Sequence, residues 1–150
     1  MEENDYNSLE SFLYGMQFRK LMEKEMEPIQ REYDLCRIDI QILLYLDRHQ
    51  NEKDTSKDIL KLKMFTKGHI SQSLTRLQKM GYVFMKQDTD DRRYTHNYLT
   101  DAARALVVKI KNKYAELWEI IMQDVTDEEK TVMRTIAGKV SKNISGFLAR

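Results

Sequence analysis

Lys67, Gly68, His69, Ser71, Gln72, Thr75 and Arg76 recur at a spacing that collects them on one side of a helix. Every one is small, polar or basic, and none is acidic. Such a surface offers hydrogen-bond donors, acceptors and positive charge, the groups that meet phosphates and base edges of a nucleic acid. A bland alternative is a solvated polar face. A second constellation follows at Asp91-Arg92-Arg93. A guanidinium is a rigid fork that suits phosphate or the floor of a narrow minor groove, and a neighbouring carboxylate can aim it. Arg93, steered by Asp91, is the expected groove finger, and Arg92 is expected on phosphate. The plain alternative for both is an exposed salt bridge in a turn.

Other chemistries lack their residues. His49, His69 and His96 have no second His or Cys three or four positions away, so no metal site is expected. No Gly-rich phosphate loop occurs, and no hydroxyl or thiol has a recognisable His and carboxylate set beside it, so neither an enzyme nor a cofactor is expected. Cys36 is the single cysteine, which excludes an internal disulfide and fits a reducing cytosol. Standing where a helix begins, it is either a small buried or capping residue or a thiol of lowered pKa able to sense oxidants.

The chain has 150 residues, 25 basic and 24 acidic, for a net charge of +1. That near-neutrality conceals a gradient: residues 1–34 carry −5, whereas residues 53–93 hold ten basic and five acidic side chains. A basic middle segment can attract a polyanion even in a neutral protein. With 41% apolar residues the chain can build a core, and with five Gly and one Pro it is short of the turns an all-β fold needs. No apolar run approaches the roughly 20 residues that span a bilayer, and the acidic N-terminus lacks a secretion signal. A soluble, cytoplasmic, mainly helical protein is expected.

The periodicity places the elements. Residues 8 to 33 read as a helix with more than one apolar face, which Pro28 should kink or interrupt. A helix over 37–48 turns Ile38, Ile42, Leu43 and Leu46 inward. A short helix follows Thr55 or Ser56 and buries Ile59 and Leu60. Thr66 caps the helix that carries the polar face, with Ile70, Leu74 and Leu77 as its inner stripe, and Gly81 ends it. Residues 82–99 read as a β-hairpin with a charged turn. Thr100 caps a long helix to about Asp124. Thr126-Asp-Glu-Glu129 is a capping box opening a last helix with Val132, Met133, Ile136, Val140, Ile144 and Phe147 on its stripe.

Short helix, turn, polar-faced helix and charged hairpin make the pattern of a winged helix-turn-helix. Leu35-Cys-Arg-Ile-Asp-Ile-Gln-Ile-Leu, Leu77-Gln-Lys-Met-Gly-Tyr-Val, Asp91-Arg-Arg with Leu99-Thr100, and Thr126-Asp-Glu-Glu occur in order. Together they resemble the MarR family of bacterial transcription regulators over essentially the whole chain. The resemblance implies a single MarR-like domain over 1–150, mainly α with a small β-hairpin wing. Residues 35–100 would form the winged helix-turn-helix, 101–124 a long connecting helix, and 1–34 and 125–150 the dimerisation helices. It implies a homodimer, a ligand-responsive repressor reading double-stranded DNA at a pseudo-palindromic operator. Apolar stripes on the first and last helices, remote from the polar face, argue independently for two-fold pairing.

Carried onto this sequence, the family's base-reading positions fall on Gly68, His69 and Gln72, with Lys67, Ser71, Thr75 and Arg76 nearby. Gln72 stands where many members have arginine; glutamine suits adenine, or else it touches phosphate. Gly68 has no side chain to read with and would admit close approach of the backbone. Cys36 stands where threonine is frequent, and family members that sense oxidants typically use a cysteine in the first helix. Tyr14, Phe18, Tyr45, Tyr114 and Trp118 are the candidates for lining a crevice that takes a small aromatic or anionic effector; plain core is the competing assignment. The rival functions are a thiol redox-sensing regulator working through Cys36 and a winged-helix module that binds protein. The latter should show acidic or apolar residues on the outward face of 66–76, and that face has none.

Overall fold

The computed structural model describes residues 15–150, apart from Asn51, Lys63 and the side chain of Met16. Tyr14 and the expected helix turns before it lie outside the described residues. Along the chain come α1 (Met16–Tyr33), α2 (Arg37–Arg48), α3 (Ser56–Leu60), α4 (Lys67–Lys79), β1 (Val83–Gln87), β2 (Thr95–Leu99), α5 (Asp101–Ile121) and α6 (Asp127–Leu148). The chain divides into two compact units, with the boundary between Lys113 and Tyr114. No helix among the described residues is long and apolar enough to cross a membrane.

The first unit holds the helix-turn-helix and its hairpin. Helix α2 buries Asp39, Ile40, Ile42, Leu43, Tyr45 and Leu46, and α4 buries Ile70, Ser73, Leu74 and Leu77 against it. Met26 of α1, Leu35, Ile59 of α3, Val83 of β1, Leu99 of β2 and Ala103, Leu106, Val107 and Ile110 of α5 are buried as well. Each buried Val, Leu or Ile contributes about 1.5–3 kcal/mol when fully removed from water. The hairpin is antiparallel, with Val83 opposite Leu99 and Gln87 opposite Thr95. A lone bridge between Thr55 and His96 ties the segment ahead of α3 to β2.

The caps explain why the elements start and stop where they do. The Thr66 hydroxyl accepts from the His69 N–H at 3.3 Å, and that of Thr126 accepts from the Glu129 N–H at 3.2 Å. Helix α4 ends in a Schellman motif: Gly81, at φ 79°, donates to Gln78, and Tyr82 donates to Leu77. Thr100 Oγ1 donates to the Gly81 carbonyl at 2.7 Å and accepts from the Ala103 N–H, so one hydroxyl joins the end of α4 to the start of α5.

Two expectations are corrected. Helix α1 runs unbroken through Pro28. Pro28 is exposed, so the carbonyl it leaves unpartnered a turn earlier has solvent available. Leu60, expected inside, is 37% exposed, because the five-residue α3 is too short to turn more than Ile59 fully inward.

The second unit, from Tyr114 onward, contains the end of α5 and all of α6. Leu117 is buried, but α6 has no buried residue. Val132, Ile136, Ile144 and Phe147 are each more than half exposed.

Candidate nucleic-acid interface

Helix α4 divides cleanly. Its inner stripe is buried, and Lys67, Gly68, His69, Ser71, Gln72 and Thr75 are all exposed. Thr75 returns its hydroxyl to the Ser71 carbonyl at 3.0 Å. A side chain built at Gly68 would meet no atom within 4 Å. Packing within the chain therefore does not require glycine there.

Arg76 sits at the edge of this face and turns toward the core. Its guanidinium pairs with the Asp39 carboxylate, which is fully buried. Asp39 also accepts from the Ser73 hydroxyl at 2.5 Å and from the Cys36 N–H at 2.7 Å. Three donors satisfy a buried charge that would otherwise be costly. They fix α4 across the start of α2. Asp39 was not among the residues singled out from sequence. Its capping position, three residues after Cys36, was the available signal, but the long-range partners Ser73 and Arg76 were not readable.

Cys36 is exposed at the start of α2. With Arg37, Phe65, His69, Gln72 and Arg76 it lines an open cavity of about 520 Å³ beside the polar face.

The wing turn is built from its own carboxylates. Asp88 Oδ1 accepts from the N–H groups of Asp90 and Asp91, at 2.8 Å each. Asp91 then holds Arg93 in a forked pair: Nε lies 3.0 Å from Oδ1, and Nη2 lies 2.7 Å from Oδ2. Arg93 keeps 84% of its side chain exposed even so. The pair holds the Asp91 carboxyl below its ordinary pKa and raises that of the Arg93 guanidinium. Arg92 is exposed, with its carbonyl accepting from Gln87 Nε2 at 2.7 Å. The ion pair anticipated between Asp91 and Arg93 is thus present, and the guanidinium it orients remains open to solvent.

The candidate effector residues are dispersed in character. Phe18 is half exposed, and Tyr45 is buried with its ring 4.5 Å from that of His49. Burial, then the carboxylates of Asp58 and Asp54, push the Tyr45 phenol upward in pKa. Tyr114 and Trp118 belong to the second unit, where Trp118 is 47% exposed. Among the described residues no group of His, Cys, Asp or Glu is arranged to hold a metal ion.

Residues 35–103 match the family described as a winged helix DNA-binding domain. The chain is 26% identical over 125 residues to the HTH-type transcriptional regulator PecS of Dickeya dadantii, spanning 83% of this chain and 75% of that protein. It is 25% identical over 143 residues to the HTH-type transcriptional repressor YetL of Bacillus subtilis, spanning 95% and 86%. Its fold is that of a MarR protein from Peptoclostridium difficile, with a TM-score of 0.78 over 100% of this chain and 94% of the other at 22% identity. The S. aureus MepR–DNA complex shares the fold with a TM-score of 0.76, over 89% and 96%, also at 22% identity. Signature residues, winged-helix geometry and these likenesses agree: residues 35–103 form a winged helix DNA-binding domain, and the chain is similar to MarR-type transcriptional regulators.

Proposed function

We propose that this protein is a cytoplasmic homodimer that docks helix α4 of each subunit in the major groove of a pseudo-palindromic operator and lays Arg93 along the adjacent minor groove. The observation that carries the reading is the outer face of α4, exposed over Lys67, Gly68, His69, Ser71, Gln72 and Thr75 without one acidic side chain, followed by a wing that presents an oriented guanidinium. Gln72 and His69 have hydrogen-bonding groups for base edges, and Lys67, Ser71, Thr75 and Arg92 suit phosphate. Arg76 contributes less than a free arginine, since Asp39 already neutralises it.

Dimerisation is supported by the exposed stripe of α6. Four large apolar residues at helical spacing on one helix are an expected site of self-association. Half-sites about one helical turn apart would follow. Repression fits the likeness to the transcriptional repressor YetL. Release by a small aromatic or anionic effector would act as a population shift toward a spacing of the two reading heads that no longer matches successive grooves.

The test is a titration of wild-type protein and Arg93→Ala on duplex DNA from the region upstream of the protein's own gene, at two salt concentrations. The wild type should bind with an affinity that falls steeply with salt, by a slope near 0.9 per phosphate contact. Arg93→Ala should bind about tenfold more weakly or worse, the range of one lost groove contact. Equal affinity of the two proteins removes the wing from the interface. Equal affinity of the wild type for unrelated DNA removes sequence-specific reading.

A further inference from the structure

A single imidazole joins the wing turn to the body of the first unit. His96 Nδ1 lies 2.5 Å from Asp54 Oδ1, and His96 Nε2 lies 2.7 Å from Asp88 Oδ2. The two ends of this bridge are held differently. Asp54 is 3% exposed, and its carbonyl accepts from both the backbone N–H and Nδ2 of Asn97, at 3.1 and 2.7 Å. The bridge between Thr55 and His96 fastens the same segment to β2. Asp88 instead stands in the exposed turn, where its second oxygen gathers the N–H groups of Asp90 and Asp91. A continuous polar chain therefore runs from Asp54 through His96, Asp88 and Asp91 to Arg93.

An imidazole can donate to two carboxylates at once only when both ring nitrogens carry protons. The neutral ring has one N–H. Asp54 is buried and anchored, so the remaining proton belongs on Nδ1, and the Nε2 lone pair then faces the Asp88 carboxylate. Lone pair against anion is repulsive, and the mobile partner is the wing turn. We propose, resting on the reading of Arg93 as a DNA contact, that His96 is a positioning residue: its doubly protonated ring locks the wing turn and Arg93 for DNA, and loss of one proton to solvent loosens them and weakens operator binding.

The surroundings favour the charged ring. Asp88, then Asp54, raise the His96 pKa above its ordinary 6.5. Lys86, the cross-strand partner of His96 on β1, is the like charge facing it, and its ammonium leans over the Phe84 ring at 5.7 Å. Tyr98 of β2 has its ring 6.3 Å away. Asp58 of α3 and Tyr45 of α2 interact with the Asp54 side of the clamp or with each other. The His96 contribution is complete below 6.5, its unfolded value, and is lost as pH rises through the higher folded value. Asp88 works in the opposite sense: the His96 bond, then the Asp91 and Asp90 N–H groups, lower it from 3.8 to about 2, so its contribution is lost as pH falls through about 2.

The experiment follows the His96 ring resonances and the amide hydrogen exchange of Asp90 and Asp91 by NMR on the full chain between about pH 6 and 9, bracketing the ordinary His value. The same pH series is run for affinity to the upstream duplex, with wild type, His96→Gln and Asp88→Asn. Exchange at Asp90 and Asp91 should accelerate with the His96 titration. Wild-type affinity should fall by about tenfold, equivalent to one unit between the His96 pKa of free and bound protein. Both variants should lose that part of the pH dependence. His96 titrating while the two amides exchange unchanged overturns the proposal, as does a pH profile shared by wild type and variants. Absence of duplex binding at every pH overturns the DNA reading and the affinity claim together, while the exchange data still judge the clamp by themselves. Asp88→Asn, a change in an exposed turn, keeps the test open should His96→Gln fail to fold.

Discussion

Helices α4 and α6 carry apolar stripes of the same three-four period, yet α4 holds Ile70, Leu74 and Leu77 at 2% exposure or less and α6 buries no residue. Period alone thus establishes that a helix has an apolar side; it leaves open whether the same chain or another covers it. In α4 the cover comes from α2, α3 and β1, which leaves the opposite face for a ligand. In α6 the apolar side itself is open. The first helix type presents polar groups on a rigid scaffold, and the second presents the surface on which two scaffolds would be joined.

Three substitutions probe this contrast, in falling order of effect. Leu74→Ala removes a fully buried side chain and should lower unfolding free energy by about 2–5 kcal/mol in denaturant titration, with the larger value where the cavity cannot collapse. A loss below 1 kcal/mol would mean the inner side of α4 is looser than its burial indicates. Ile136→Asp places a charge on the open stripe of α6. In the proposed symmetric pair each of the two copies would lose an apolar contact of about 1.5–3 kcal/mol, so the dimer dissociation constant should rise a hundredfold or more by sedimentation. The circular dichroism of the helices should be largely kept. An unchanged dissociation constant would move the dimer interface off α6. Gly68→Ala is the smallest and the most discriminating. Helix propensity favours alanine by up to about 1 kcal/mol, and the added methyl meets no atom of the chain, so thermal stability should rise slightly. Affinity for DNA should nonetheless fall if the backbone of α4 approaches the duplex closely at that point. A gain or no change in affinity would show that the glycine serves no contact.

Much of the architecture was legible because it rests on local chemistry. Thr66, Gly81, Thr100 and Thr126 cap or end helices where the residue types demand it, and the bounds of α2 at Arg37 and Arg48 follow from its apolar period. The wing pair of Asp91 and Arg93 was legible for the same reason, since its partners are two residues apart. What escaped was chemistry that depends on distant partners. Asp39 lies 34 residues from Ser73, and His96 lies 42 residues from Asp54. Neither separation leaves a mark on periodicity or composition. Pro28 does not interrupt α1 for a different reason: the rule assigns a cost to the lost hydrogen bond, and that cost shrinks when the freed carbonyl can be hydrated.

The central claim is that two copies of α4 read one duplex in register. Selection of binding sites from random double-stranded DNA tests it most directly, because the recovered sequences report symmetry, spacing and base preference together. The account predicts an inverted pair of half-sites about 10 base pairs apart, centre to centre. Recovery of a single unpaired half-site, or no enrichment over random sequence, would contradict it.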